Sequence, residues 1–182
     1  MPGGDIARVV ALGASNLTRG FRTIVASAGA EWGPGVQVLA ALGHGRSYGV
    51  SSSLLVRRLP GILECGLWAR LDGEPQAPTR ALVTDVGNDI LYGFTARQTL
   101  DWVAESVDRL QRVTRDIVVT GLPVEGIRGL SQARFLFFRS VFAPPCRLSY
   151  RQVLETAEEV NAGLAGLANA RGARFVALEP QW

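Results

Sequence analysis

The chain has 182 residues, enough for one domain with a sizeable buried core. Hydrophobic residues make up 47% and charged residues 19%, a balance that excludes a disordered chain. The net charge of +3 comes from 19 Lys+Arg against 16 Asp+Glu. The basic residues are nearly all Arg and are spread along the sequence, so no dense run marks a nucleic-acid groove.

Ile6 to Leu12 is a short apolar run rich in β-branched residues and reads as a buried strand ending at Gly13. Leu17 to Trp32 reads as a helix, with Leu17, Phe21, Ile24, Val25 and Ala28 at helical spacing and Gly33-Pro34-Gly35 as its stop. Val36 to Leu42 is a second strand. Ser47 to Leu59 is expected to be helical, with Leu54, Leu55 and Leu59 on one face. Residues 72–79 form a polar, Pro-containing loop, and Ala81 to Val86 a third strand. Thr95 and Gln98 make a capping box for the next helix, whose apolar stripe is Leu100, Val103, Val107 and Leu110. Asp116 to Thr120 is a fourth strand. Pro123 to Leu148 is the least regular stretch; its Phe135, Phe137, Phe138 and Phe142, ahead of Pro144-Pro145, fit a short core helix or a flap over a pocket equally well. Ser149 and Gln152 cap a helix that runs to about Arg171, with Val153, Ala157, Val160, Leu164 and Leu167 inward and Gly172 as its stop. Arg174 to Leu178 is a fifth strand.

Strands alternate with helices throughout, and the strands are continuous apolar runs. That pattern implies a five-stranded parallel sheet with helices on both faces, a three-layer αβα sandwich of the α/β class. A single domain over residues 1–182 is expected. Cys65 and Cys146 lie far apart and form no CxxC pair, which argues against a metal site or disulfide framework. Residues 1–5 show no basic region leading into an apolar core, so no signal peptide is expected. No apolar stretch is long enough to span a membrane, and a cytoplasmic location is the default.

In open parallel sheets ligands bind beyond the carboxyl ends of the strands. Three strand ends carry unusual residues. In Gly13-Ala14-Ser15-Asn16-Leu17, Ser15 follows a strand and opens a helix, where the dipole favours negative charge. Ser15 could attack a carbonyl and hold the oxyanion on its own N–H, or it could be an ordinary N-cap. In Gly43-His44-Gly45-Arg46-Ser47, a glycine N–H could donate to the same oxyanion, or the segment could be a plain turn. In Thr84-Asp85-Val86-Gly87-Asn88-Asp89, Asn88 could present an NH₂ donor, or the segment could be an Asx turn.

In this order the three segments resemble the blocks of SGNH/GDSL hydrolases, a family of serine esterases and lipases with a flavodoxin-like fold. Its serine block matches Gly13 to Leu17. Its oxyanion-glycine block matches Gly45, or less well Gly43. Its GxND block matches Val86-Gly87-Asn88-Asp89, with Val in place of the first Gly. Thr120-Gly121-Leu122-Pro123 is similar to the family's segment after the fourth strand. The resemblance implies Ser15 as nucleophile, with oxyanion donors from the N–H groups of Ser15 and Gly45 and the side chain of Asn88. It gives Asp89 an orienting role, and it implies an ester or acylated small molecule as substrate. Asn16 and Phe138 are the expected substrate contacts. No metal or organic cofactor is implied.

The family's last block, Asp-x-x-His after the fifth strand, supplies the base and its partner. Here Glu179-Pro180-Gln181-Trp182 stands where that block should begin, and the one histidine is His44. Either the native chain continues past Trp182 into that block, or His44 substitutes as base with Asp85 or Asp89 as the available carboxylates. A nucleotide- or phosphate-binding module, or a non-catalytic binding domain, are the rival classes. The sequence carries neither GxGxxG nor GxxxxGK[ST].

Overall fold

The structure is a computed structural model that describes residues 6–54, 57–142 and 146–178; of Leu54, Arg57, Phe138, Val141 and Phe142 it describes the backbone only. The chain runs β1 (Arg8–Leu12), α1 (Ser15–Trp32), β2 (Gln37–Ala41), β3 (Ser52–Leu54), β4 (Arg57–Leu59), a 3-10 turn at Ile62–Glu64, α2 (Leu67–Asp72) and β5 (Thr79–Val83). It continues through α3 (Asn88–Leu91), α4 (Ala96–Leu110), β6 (Asp116–Thr120), α5 (Val124–Arg128), α6 (Gln132–Phe142), α7 (Tyr150–Ala170) and β7 (Arg174–Val176).

Five strands form one parallel sheet in the order β2-β1-β5-β6-β7. The order reverses between β1 and β5, so the crevice beyond their carboxyl ends is the topological switch point where ligands settle in such sheets. Val10 and Leu12 of β1, Val83 of β5 and Val119 of β6 are fully buried, as expected where helices cover the sheet. α1 lies against β1. α4 and α7 pack on each other and on β5, β6 and β7, burying Val103, Val107 and Leu110 against Ala157, Val160 and Leu164. Both expected capping boxes are formed, at Thr95/Gln98 and Ser149/Gln152. Each satisfies two otherwise orphaned amides at its helix start.

The described residues of the segment from Ser47 to Leu59 are not helical; Leu55 and Val56 lie outside them. Ser47 is fully buried, and its hydroxyl accepts from the amides of Gly49 and Val50 at 3.1 and 3.0 Å while donating to Asp89. A serine that binds its own neighbours' amides offers the backbone an alternative to helix. The run Gly49 to Ser53 then has weak helix propensity. The chain instead forms the antiparallel pair β3–β4, with Ser52 opposite Leu59. In the irregular stretch after β6, Phe135 is 5% exposed and Phe137 is 64% exposed. The side chains of Phe138 and Phe142, and residues 143–145, lie outside the described residues. Cys65 and Cys146 are unbridged. Among the described residues no helix is long and apolar enough to cross a membrane, and no cluster of His, Cys, Asp and Glu could hold a metal ion.

Candidate active site

The carboxyl ends of β1, β2, β5 and β6 surround a pocket of about 600 Å³. That lies within the roughly 300–1,000 Å³ typical of small-ligand sites. Ser15, Asn16, His44, Gly45 and Asn88 all line it, so the loops after three different strands deliver their polar residues to one cavity. Gly121, Leu122 and Pro123, from the exit of β6, line it as well. Its apolar wall includes Ile127, Leu130, Phe135, Val153 and Leu178. Gly43 and Asp89 are not among the lining residues.

Ser15 is the first residue of α1 and is half-buried. Its hydroxyl makes no hydrogen bond among the described residues, so it is not serving as a helix cap. That task falls to Asp85, which sits just beyond β5. One oxygen of its carboxylate accepts from the amides of Ala14 and Leu17, at 3.0 and 2.8 Å, and the other from the Asn16 side chain at 2.7 Å. The helix therefore begins against a carboxylate from a neighbouring strand, which satisfies amides that Ala14 cannot cap and complements the helix dipole. Asp85 holds φ of 59°, a left-handed conformation rare for a residue with a Cβ. The identity of this cap is invisible in the sequence, because residues 14 and 85 meet only through the pairing of β1 with β5. The polar run after β5 was the available signal.

The second loop is held by α3. Gly45 has φ of 69°, a region glycine adopts without strain, and its carbonyl accepts from the Tyr92 hydroxyl. Asn88 donates Nδ2 to the Arg46 carbonyl at 3.2 Å. Asp89 is fully buried and accepts from the Ser47 hydroxyl and, at 3.0 Å, from the Tyr48 amide. Burial pushes the Asp89 carboxyl up to about 6, and its two donors pull it partly back. Asn88 and Asp89 of α3, with Tyr92 just past its end, thus fasten residues 45–48. The Gly45 amide and the second N–H of the Asn88 side chain have no partner among the described residues.

His44 is exposed at the pocket rim and makes no hydrogen bond among the described residues. Asp85 and Asp89, the two carboxylates that could have oriented it, are engaged with α1 and with residues 47–48. Leu178, the last described residue after β7, lies in the pocket wall.

No family model matches the sequence, and no curated protein matches it. Solved structures do match the fold. AlinE4, described as an SGNH-hydrolase family esterase, superposes with a TM-score of 0.57 at 17% identity, over 95% of this chain and 76% of its own. A carbohydrate acetylesterase family member from Sinorhizobium meliloti gives 0.55 at 16% identity, over 93% of this chain and 82% of its own. The psychrotrophic esterase EstA from Pseudoalteromonas sp. gives 0.53 at 12% identity, over 94% and 76%. At these identities the likeness establishes the fold: a five-stranded α/β sandwich of the SGNH-hydrolase kind.

Proposed function

We propose that this protein is a serine hydrolase of carboxylic esters in which Ser15 forms the acyl-enzyme. The observation that carries the reading is that Ser15, Gly45 and Asn88 line one pocket, with the Ser15 hydroxyl excused from capping by Asp85. In this reading the hydroxyl attacks the ester carbonyl. The Ser15 and Gly45 amides and the free N–H of Asn88 then receive the developing oxyanion. A base takes the Ser15 proton and returns it to the departing alkoxide, which leaves as the alcohol; the same base then deprotonates the water that releases the acid. Asp89 and Tyr92 act by positioning, through residues 45–48. The substrate is a small ester or acylated molecule whose apolar part lies along Leu122, Ile127 and Phe135, with Asn16 at the rim.

The reading assigns the base to an Asp-x-x-His block after the fifth strand, as the resemblance implies, and not to His44. Among the described residues His44 has no hydrogen bond or ion pair to a carboxylate, so it lacks the orienting partner that a histidine base uses. A phosphate-binding role for the α1 N-terminus is disfavoured by the Asp85 carboxylate, an anion already seated on the amides a phosphate would need.

Hydrolysis of 4-nitrophenyl acetate by the 182-residue chain, with and without added imidazole, tests this. A positioned base contributes about 10²–10⁴ in rate, so activity should be weak alone, rise with imidazole and vanish in Ser15→Ala. Activity that imidazole does not raise and His44→Ala abolishes would hand the base role to His44. Activity indifferent to Ser15→Ala would end the proposal.

A further inference from the structure

The charge lining the pocket is one-sided. Arg19 and Arg139 both line it, and among the described residues the one acidic lining residue is Asp85. Asp85 is already committed: its oxygens accept from two backbone amides and the Asn16 side chain, so its charge is spent on the start of α1. Neither arginine has a carboxylate partner among the described residues, although the chain forms arginine ion pairs freely elsewhere, at Arg80, Arg128 and Arg171 among others.

The two are placed differently. Arg19 is exposed on α1, four residues past Ser15. Side chains at that spacing share a helix face about 6 Å apart. Arg139, on α6, is half-buried and already oriented. It donates Nη1 to the Leu148 carbonyl at 2.9 Å, and its guanidinium lies 5.9 Å from the centre of the Phe135 ring. A guanidinium held by a carbonyl and a ring loses little freedom on binding an anion, and its remaining N–H groups form a fork suited to carboxylate or phosphate. The same cavity is lined by the apolar side chains of Leu122, Ile127, Leu130 and Phe135.

We infer that the substrate of this pocket is an anionic ester, a molecule that carries a carboxylate or phosphate besides the ester group, read by Arg139 with Arg19 at the rim. The inference rests on the hydrolase reading for the word ester. The anion preference itself rests on charge alone and is measurable without turnover. The apolar wall takes the carbon chain between the two groups, and a neutral ester of the same length leaves both guanidinium groups unmatched.

The test compares monomethyl glutarate with dimethyl glutarate, which differ by one carboxylate, and methyl phosphate as the phosphate probe. Binding to Ser15→Ala is followed by calorimetry, and turnover of both esters by the unsubstituted chain by methanol release with imidazole present. The monoester should bind about tenfold tighter than the diester. That preference should fall several-fold between about 0.05 and 0.5 M NaCl, as screening predicts. It should drop to less than half in Arg139→Gln and in Arg19→Gln; the second, at an exposed site, guards against misfolding of the first. Methyl phosphate displacing the monoester would extend the class to phosphates; failure to displace it would restrict the class to carboxylates. Equal binding of the two glutarates, or a preference untouched in both variants, overturns the inference. A preserved binding preference without Ser15-dependent turnover of either ester would leave the anion site standing and remove the hydrolase reading.

Discussion

Replacing Asp85 by Ala removes a cap that spans two strands. Three hydrogen bonds are lost, to the amides of Ala14 and Leu17 and to the Asn16 side chain. Ala14 is fully buried and Leu17 is 4% exposed, so water cannot readily replace the lost acceptor for the two amides. A buried donor left unsatisfied costs about 1–3 kcal/mol, so the pair costs roughly 2–6 kcal/mol. Exposed Asn16 is rehydrated and adds little. Alanine also keeps the strain at φ of 59°, which glycine would relieve by about 1 kcal/mol. Asp85→Ala should therefore be destabilised by roughly 2–6 kcal/mol, Asp85→Gly by about 1 kcal/mol less, and Asp85→Asn least, because it keeps one acceptor and tolerates the left-handed region. Equilibrium unfolding in urea, followed by tryptophan fluorescence, reads all three, with unchanged slopes as the two-state check. An Asp85→Ala variant within about 0.5 kcal/mol of the parent would refute the reasoning, since that is the range of substitutions that touch nothing important.

Three further outcomes follow from the geometry. Asp89 has its carboxyl raised to about 6, so the folded state binds this proton more tightly than the unfolded chain does. The stability it contributes is complete below about pH 4 and is lost as pH rises through about 6, by about 3 kcal/mol in all. Unfolding measured from pH 4 to 8 should show that fall in the parent relative to Asp89→Asn; parallel curves would contradict it. A Cβ on Gly49 would lie 2.0 Å from the indole of Trp102, so Gly49→Ala should cost about 1–3 kcal/mol by overpacking, against no change in Tm if the ring swings away freely. Asn88→Ala should lower imidazole-assisted ester hydrolysis by about 10²–10³, and a loss below tenfold would remove Asn88 from the oxyanion role.

The parallel sheet was legible because its strands are unbroken apolar runs, and the two capping boxes because their chemistry is local to four residues. Ser47 to Leu59 was misjudged because Leu54, Leu55 and Leu59 match helical spacing. The signal against helix, a serine bound to its own neighbours and to Asp89, needs a partner 42 residues away. Ser15, Gly45 and Asn88 were legible as candidates because each is a Ser, Gly or Asn a few residues past the end of a strand. The capping role of Asp85 is not legible in the sequence, because its partners are amides on a different strand's exit. Tyr92, Arg19 and Arg139 were missed for the same reason. Each looks like an ordinary surface or helix residue until the fold gathers them at one cavity.

The central claim, that Ser15 is a nucleophile facing an oxyanion hole, is tested most directly by phosphonylation. A fluorophosphonate ester probe, with imidazole present, should add one group to the chain, located by peptide mass spectrometry on Ser15, absent in Ser15→Ala and about 10²–10³ slower to form in Asn88→Ala. A single adduct on another serine, or none at any imidazole concentration, would contradict the account.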